Sequence, residues 1–400
     1  MYENEARTAH GLMSGIIDRY GPRLPGSQAG REAADELAAA ATPYADEVHT
    51  EDFAVYPNAF LGFIRLMLVL YVVSVAALPF APWISAAALA VGAAVLVFDF
   101  FFYKGYTDRF YRRAVGRNVW ATLEPTGPVE RQLIVSGHHD SARIFNFYVD
   151  RPELYGRRLY SGMGAYFAFL IAAVALAIVA PGFAVRAGVA VAFAAAFALA
   201  APLWNFASKE GTPGAGDNLA ASVAALELLK GFKARRDAGA GLRATRIIFA
   251  SFDAEEAGLR GARAWAKARG DALTAVPTWN YNMDCVYSAK DSRFLSRDLN
   301  GSVALDERTA RACADLAKEA GVDAPVEPIA FLTGGTDAAE LARKGVRATT
   351  LIAMTWSNAD RSPAYHTPAD TPDAVGLDAL ELAIRVGFGL TARIDEGKLD

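Results

Sequence analysis

The chain has 400 residues, 53% of them apolar and 21% charged, and a formal net charge of −4. That length allows one large domain or two average ones, and that charge offers no basic field for nucleic acid. Its two cysteines, Cys285 and Cys313, exclude a disulfide framework and fit a reducing compartment.

Residues 5–20 and 28–41 read as helices, the second capped by Ser27, and 46–56 alternates as a strand. The opening MYENEARTAHGLMSG has no charged-then-apolar leader, so no cleavable signal peptide is expected.

The apolar excess is concentrated in paired runs. Residues 60–79 and 83–103 each approach the ~20 residues a bilayer requires, and uncharged Pro79-Phe80-Ala81-Pro82 joins them. A second pair, 160–180 and 183–204, turns at Pro181-Gly182. We read 60–103 and 160–204 as two transmembrane hairpins, four spans in all. Arg65 and Asp99 lie near ends, where they can snorkel, and Trp83, Phe100, Tyr103, Tyr160 and Trp204 mark an aromatic belt. Lys104, Arg109, Arg112, Arg113, Arg117, Arg151, Arg157, Arg158 and Lys209 flank the polar-domain side, against Arg186 near one tip. The positive-inside tendency therefore predicts an integral membrane protein with its polar domain and both termini cytoplasmic.

Elsewhere, strands are expected at 117–123, 131–137, 244–252, 277–284, 326–331 and 347–353. Helices are expected at 218–230, 257–269, 305–320, 336–344 and 378–393, the last opening on a capping-box-like Asp378-Ala379-Leu380-Glu381. This alternation predicts an α/β three-layer sandwich, with a central, mostly parallel sheet flanked by helices. Residues 1–59, 104–159 and 205–400 together would form that one domain.

The chemistry-bearing residues fall at strand ends and turns. Leu133-Ile134-Val135 delivers Ser136-Gly137-His138-His139-Asp140, and residues two apart in an extended segment share a face. His138 and Asp140 thus suit a metal-binding imidazole with a carboxylate to orient it. Asp217, in Pro213-Gly214-Ala215-Gly216-Asp217-Asn218, is either an ordinary helix N-cap or a carboxylate free to bridge two cations. Glu255 and Glu256 follow a buried strand and either begin a helix or divide two tasks, one ligating metal and one facing a water. Asp284 ends another strand, and Tyr365-His366 precedes the last helix. Ligands of such sheets bind at this edge.

The order and local patterns of these residues resemble the co-catalytic di-zinc aminopeptidases, the family of aminopeptidase Y and the bacterial leucyl aminopeptidases. The resemblance extends over nearly everything outside the hairpins, beginning with Gly21-Pro22-Arg23-Leu24-Pro25-Gly26-Ser27. It implies two zinc ions bridged by Asp217 and a water or hydroxide. His138 and Asp284 would complete the first zinc and Glu256 and His366 the second. Asp140 would orient His138, Glu255 would be the general base, and Tyr365 would polarise the substrate carbonyl. His139 stands where the family usually has Tyr or Phe, and Gly216 where an acid is common. Gly334-Gly335-Thr336-Asp337-Ala338 resembles a turn in related di-metal aminopeptidases.

The implied activity is a membrane-anchored zinc exopeptidase hydrolysing N-terminal peptide bonds. Because the second hairpin lies between His138 and Asp217, the mouth of the site is expected near the lipid bilayer. Its substrate would be a peptide or acylated amine arriving there. Other di-zinc amidohydrolases, carboxypeptidase-like or deacylating, and a non-catalytic receptor or scaffold of the same fold are the alternatives.

Overall fold

The computed structural model describes residues 2–355 and 362–399. In chain order it opens with α1 (Glu3–Tyr20), α2 (Gln28–Ala41) and β1 (Glu47–Val55), then α3 (Gly62–Ala77) and α4 (Pro82–Val95). Next come β2 (Ala114–Leu123), β3 (Arg131–His138), β4 (Arg143–Phe145), α5 (Asn146–Val149), α6 (Tyr155–Val179), α7 (Phe183–Ala200) and β5 (Ala207–Gly211). The chain continues through α8 (Ala220–Asp237), β6 (Thr245–Phe252), α9 (Arg260–Arg269), β7 (Thr278–Val286), β8 (Ser292–Asp298) and β9 (Val303–Ala304). It closes with α10 (Glu307–Glu319), β10 (Val326–Pro328), α11 (Ala338–Ala342), β11 (Arg347–Ala353) and α12 (Leu377–Asp395).

Two compact units emerge. The first comprises Met1–Pro57, Arg113–Arg143 and Glu210–Asp400; the second comprises Asn58–Arg112 and Ile144–Lys209.

The first unit is built on a nine-stranded sheet in the order β1-β2-β6-β3-β7-β11-β8-β10, with β9 on β8. Strands β6, β3, β7 and β11 run parallel, but β1–β2, β2–β6, β11–β8 and β8–β9 are antiparallel. The sheet is therefore mixed rather than mostly parallel. Helices cover both faces: α1, α2, α8, α10 and α12 lie on one side, and α9 and α11 on the other.

That double cover explains why the central strands read as continuous apolar runs. Leu133 and Val135 face the first helical layer, with Ile247, Phe249, Trp279 and Tyr281. Ile134 faces the other, with Ile248, Phe252 and Trp265. All but Ile248 are essentially inaccessible, and each such aliphatic side chain contributes roughly 1.5–3 kcal/mol. Helix α8 crosses β3 closely at Gly137, where an added Cβ would stand 2.6 Å from that of Ala221.

Local signals behave unevenly. Ser27 caps α2, its hydroxyl accepting the Gly30 N–H at 3.0 Å. No capping box forms at α12: Gly376 is the N-cap, and Glu381 instead accepts the Tyr2 N–H at 3.3 Å.

In the second unit, α3 packs on α4 and α7, α4 on α6, and α6 on α7. Ser74 and Ser85 each donate their hydroxyl to the other's carbonyl between α3 and α4. Tyr71 donates to the Phe193 carbonyl and Tyr166 to that of Leu89. These bonds give polar groups inside an otherwise apolar helix cluster their partners.

Among the described residues, three helical stretches are long and apolar enough to cross a membrane: Pro82–Phe101, Pro152–Val179 and Phe183–Asn205. The fourth expected span is Gly62–Ala77, 16 residues, or about 24 Å of helix against a hydrocarbon core of ~30 Å. Asp99 does not reach outward as expected. It is 2% exposed and accepts the N–H groups of Tyr106 and Thr107 and the Thr107 hydroxyl.

Candidate metal centre

The parallel strands end together, and the polar residues sit at that edge. Register pairs Ser136 with Asn282, so His138 and Asp284, two residues further along each strand, finish side by side. His138 also lies level with Phe252, three residues before Glu255.

Asp217 is 2% exposed and does not cap α8. Its Oδ1 lies 3.4 Å from His138 Nε2, and its Oδ2 lies 3.1 Å from His366 Nε2. One oxygen therefore faces each imidazole. His138 Nε2 is also 3.8 Å from Glu255 Oε2 and 4.0 Å from Asp284 Oδ1, and His366 Nε2 is 3.4 Å from Glu256 Oε1. Donor atoms of His138, Glu255 and Asp284 lie within 4.8 Å of one another, as do those of His138, Asp217 and Glu256. Six of the expected site residues thus converge.

Asp140 stands behind them. Its Oδ1 lies 3.3 Å from His138 Nδ1. Its two oxygens also accept the backbone N–H groups of Glu255 and Glu256, at 3.1 and 3.2 Å. One carboxylate holds both the imidazole and the pair of glutamates, a second task that the spacing of His138 and Asp140 does not reveal. Tyr365 is half-buried with its ring 4.0 Å from that of His366.

Electrostatics sharpen the picture. Burial would lower the His138 and His366 pKa values, but neighbouring carboxylates prevail and raise both, His366 to about 10. Burial would raise Asp217, but both imidazoles pull it below the usual carboxylate range. Burial, reinforced by neighbouring acids, raises Glu255, Glu256 and Asp284, the last to about 7. So many carboxyl groups around two imidazoles are costly without cations. Imidazole and carboxylate donors suit zinc. Consistently, His138 Nε2 has no hydrogen-bond partner although acids surround it.

His139 turns away from this cluster. Its Nδ1 meets Ser251 Oγ at 2.8 Å, and burial lowers its pKa to about 3, so it is a neutral core residue. Gly216 has an equally plain cause: the ring of Tyr287 occupies the space a side chain there would need.

Three supporting residues carry weaker sequence signals. Arg23 is fully buried and donates to the carbonyls of Gly21, His139, Pro213 and Gly214. It clamps the segments carrying His138 and Asp217, though its motif position alone marks it. Asp370, four residues beyond His366, accepts the Gly216 N–H at 2.8 Å and the Asp217 N–H at 3.4 Å. Asp337, in the Gly-Gly-Thr-Asp run, is 1% exposed with neither oxygen hydrogen-bonded, and burial raises its pKa well above the usual range.

Residues 204–387 match the family described as Peptidase family M28. No curated protein sequence matches the chain. Its fold is similar to that of the aminopeptidase from Aneurinibacillus sp. strain AM-1, at 15% identity and a TM-score of 0.56 over 98% of this chain and 95% of that one. It is also similar to a zinc aminopeptidase from Bacillus subtilis, at 14% identity and a TM-score of 0.57 over 97% and 95% of the two chains. A Bacteroides thetaiotaomicron glutaminyl cyclase bound to N-acetylhistamine is alike at 14% identity and a TM-score of 0.55, over 96% of each chain. Family match and fold thus agree: residues 204–387 match Peptidase family M28, and the chain shares the fold of these solved aminopeptidases.

Proposed function

We propose that this protein is a membrane-anchored aminopeptidase that binds two zinc ions and hydrolyses N-terminal peptide bonds. The observation that carries the reading is Asp217, with one oxygen toward His138 and the other toward His366. In this reading His138, Asp217 and Asp284 hold one ion, and Asp217, Glu256 and His366 hold the other. Bound there, the pair would acidify a water and polarise the scissile carbonyl.

The protein's own groups do the rest. Glu255 takes the proton of the attacking water and returns it to the leaving amine. Its Oε2 stands 3.8 Å from His138 Nε2, at the edge of the cluster. Asp140 fixes His138 and the Glu255–Glu256 backbone, so base and ligand keep a constant separation. Tyr365 supplies a phenol beside His366 to steady the developing oxyanion.

The apolar helices anchor the enzyme in the bilayer, with the catalytic domain and both termini in the cytoplasm. The substrate is a peptide or acylated amine at or near the membrane.

The test uses the detergent-purified full chain, with zinc counted per chain. A panel of aminoacyl amides, C-terminal peptides, acylated amines and a glutaminyl peptide is assayed with and without chelator. Chelator-sensitive release of N-terminal residues with two zinc per chain supports the proposal. Cleavage only at carboxyl ends or of acyl groups, or cyclisation of the glutaminyl peptide, would reassign the reaction. Metal binding without turnover of any substrate would favour the scaffold.

A further inference from the structure

Cys285 follows Asp284 on β7 and is 1% exposed. A buried free cysteine ordinarily behaves as a small hydrophobe, and Cys313 fits that description, fully buried in the main apolar core. Cys285 differs in its neighbours. Its Sγ and one carboxylate oxygen each of Asp217 and Asp284 lie within 4.8 Å of one another.

The backbone explains how. Consecutive residues of a strand point to opposite faces, which would send Cys285 away from Asp284. But the β11–β7 register shifts at this point: Ile352 pairs with Asp284 and Ala353 with Val286, leaving Cys285 as the extra residue of a bulge. Its φ of 53° lies in the left-handed region. Bulges of this kind re-aim side chains beside active sites.

A separate observation points to a ligand. Asp217 Oδ2 is buried and has no hydrogen bond of acceptable geometry, although His366 Nε2 is 3.1 Å away. His138 Nε2 is likewise without one. Oxygen and nitrogen donors without partners thus converge beside the sulfur, an arrangement a cation satisfies and an apolar core does not.

We propose that Cys285 is a sulfur donor to the ion held by His138, Asp217 and Asp284, biasing that position toward thiophilic divalent metals such as zinc or cadmium. This rests on the two-ion reading above. On binding, the S–H bond breaks heterolytically, its proton leaves to solvent, and the sulfur pair is donated to the ion; nothing is oxidised. Soft thiolate ligands favour zinc over harder manganese or magnesium. That position would then have four protein donors against three at the other, so the two ions bind unequally.

The experiment strips the full-length protein in detergent and titrates it with cobalt(II). The expected result is a sulfur-to-cobalt charge-transfer band in the near ultraviolet that saturates at one equivalent. The band persists in C313S and is lost in C285S and C285A, and zinc held at the tighter position is ~10–100-fold weaker in those two variants. Should either variant fold poorly, the unmodified protein's spectrum decides. Cobalt binding without the band, or a band that survives C285S, overturns the sulfur ligand while leaving the metal centre standing. Failure to bind cobalt, zinc or cadmium at all removes both.

Discussion

Tyr287 lays its ring over Gly216, filling the volume that an acid at 216 would occupy. The turn presenting Asp217 is thus held by an aromatic ring and by Asp370, which accepts the 216 and 217 N–H groups. We expect Gly216→Asp to displace the ring, shift Asp217 and weaken zinc binding ~10–100-fold, the scale seen when groups supporting metal ligands are lost. Combining it with Tyr287→Ala, which clears the space, should recover part of that loss. Competitive chelator titration of both variants checks this; unchanged affinity in Gly216→Asp would show that the turn tolerates the acid.

Glu255→Gln preserves shape and backbone while removing the proton acceptor. The expected outcome is undiminished zinc content with kcat reduced ~10²–10⁴-fold, the usual worth of a general base. Asp140→Asn should behave differently, because it loosens His138 as well as the glutamates, so zinc content and kcat fall together. Metal analysis beside steady-state kinetics separates the two patterns. Full turnover in Glu255→Gln would leave Glu255 with no role in proton transfer.

Removing metal should destabilise the first unit, since Asp217, Glu255, Glu256 and Asp284 would be left with only imidazole countercharge. A ligand at a hundred times its Kd contributes about 2.7 kcal/mol to the folded state. A chelator should therefore lower the midpoint of thermal unfolding, and added zinc should restore it. A midpoint indifferent to chelator would argue that these carboxyls are neutralised by protons instead.

A peripheral ion pair offers a pH test. Arg236 grips Asp46 with two bonds, 2.6 and 2.7 Å, holding that carboxyl below the usual range. A depressed carboxylate pKa stabilises the fold above the unfolded value of ~3.9, and that stabilisation is lost as pH falls through the folded value. Asp46→Asn should thus cost up to ~1 kcal/mol at neutral pH, discounted for partial exposure, and nothing in strong acid. Thermal unfolding of both proteins across that range reads the difference.

How much of this was legible in the sequence depends on distance along the chain. Strands β3, β6, β7 and β11 are buried on both faces, so their apolar runs announce themselves, and the polar residues ending them mark the site's edge. The direction of a strand leaves no such local trace, which is why antiparallel β2 and β8 turn an expected mostly parallel sheet into a mixed one. Strand β8 itself, Ser292–Asp298, interleaves polar residues with Phe294 and Leu295 and gave no periodic signal. Long-range partners also overrode local cues. Glu381 bonds Tyr2 rather than its own helix start, and Asp217, a good N-cap by type, faces two histidines instead.

Arg23 gives the arrangement a last consequence. The stretch that matches the peptidase family, residues 204–387, holds Asp217, Glu255, Glu256, Asp284 and His366. It omits His138, Asp140 and the guanidinium that ties their segment to the 213–214 turn. A fragment cut at the family boundaries would therefore be half a lock without its other half. Fragments broken within the helical insertion, by contrast, should regain activity only when mixed, because the two sides of that insertion each supply what the other lacks.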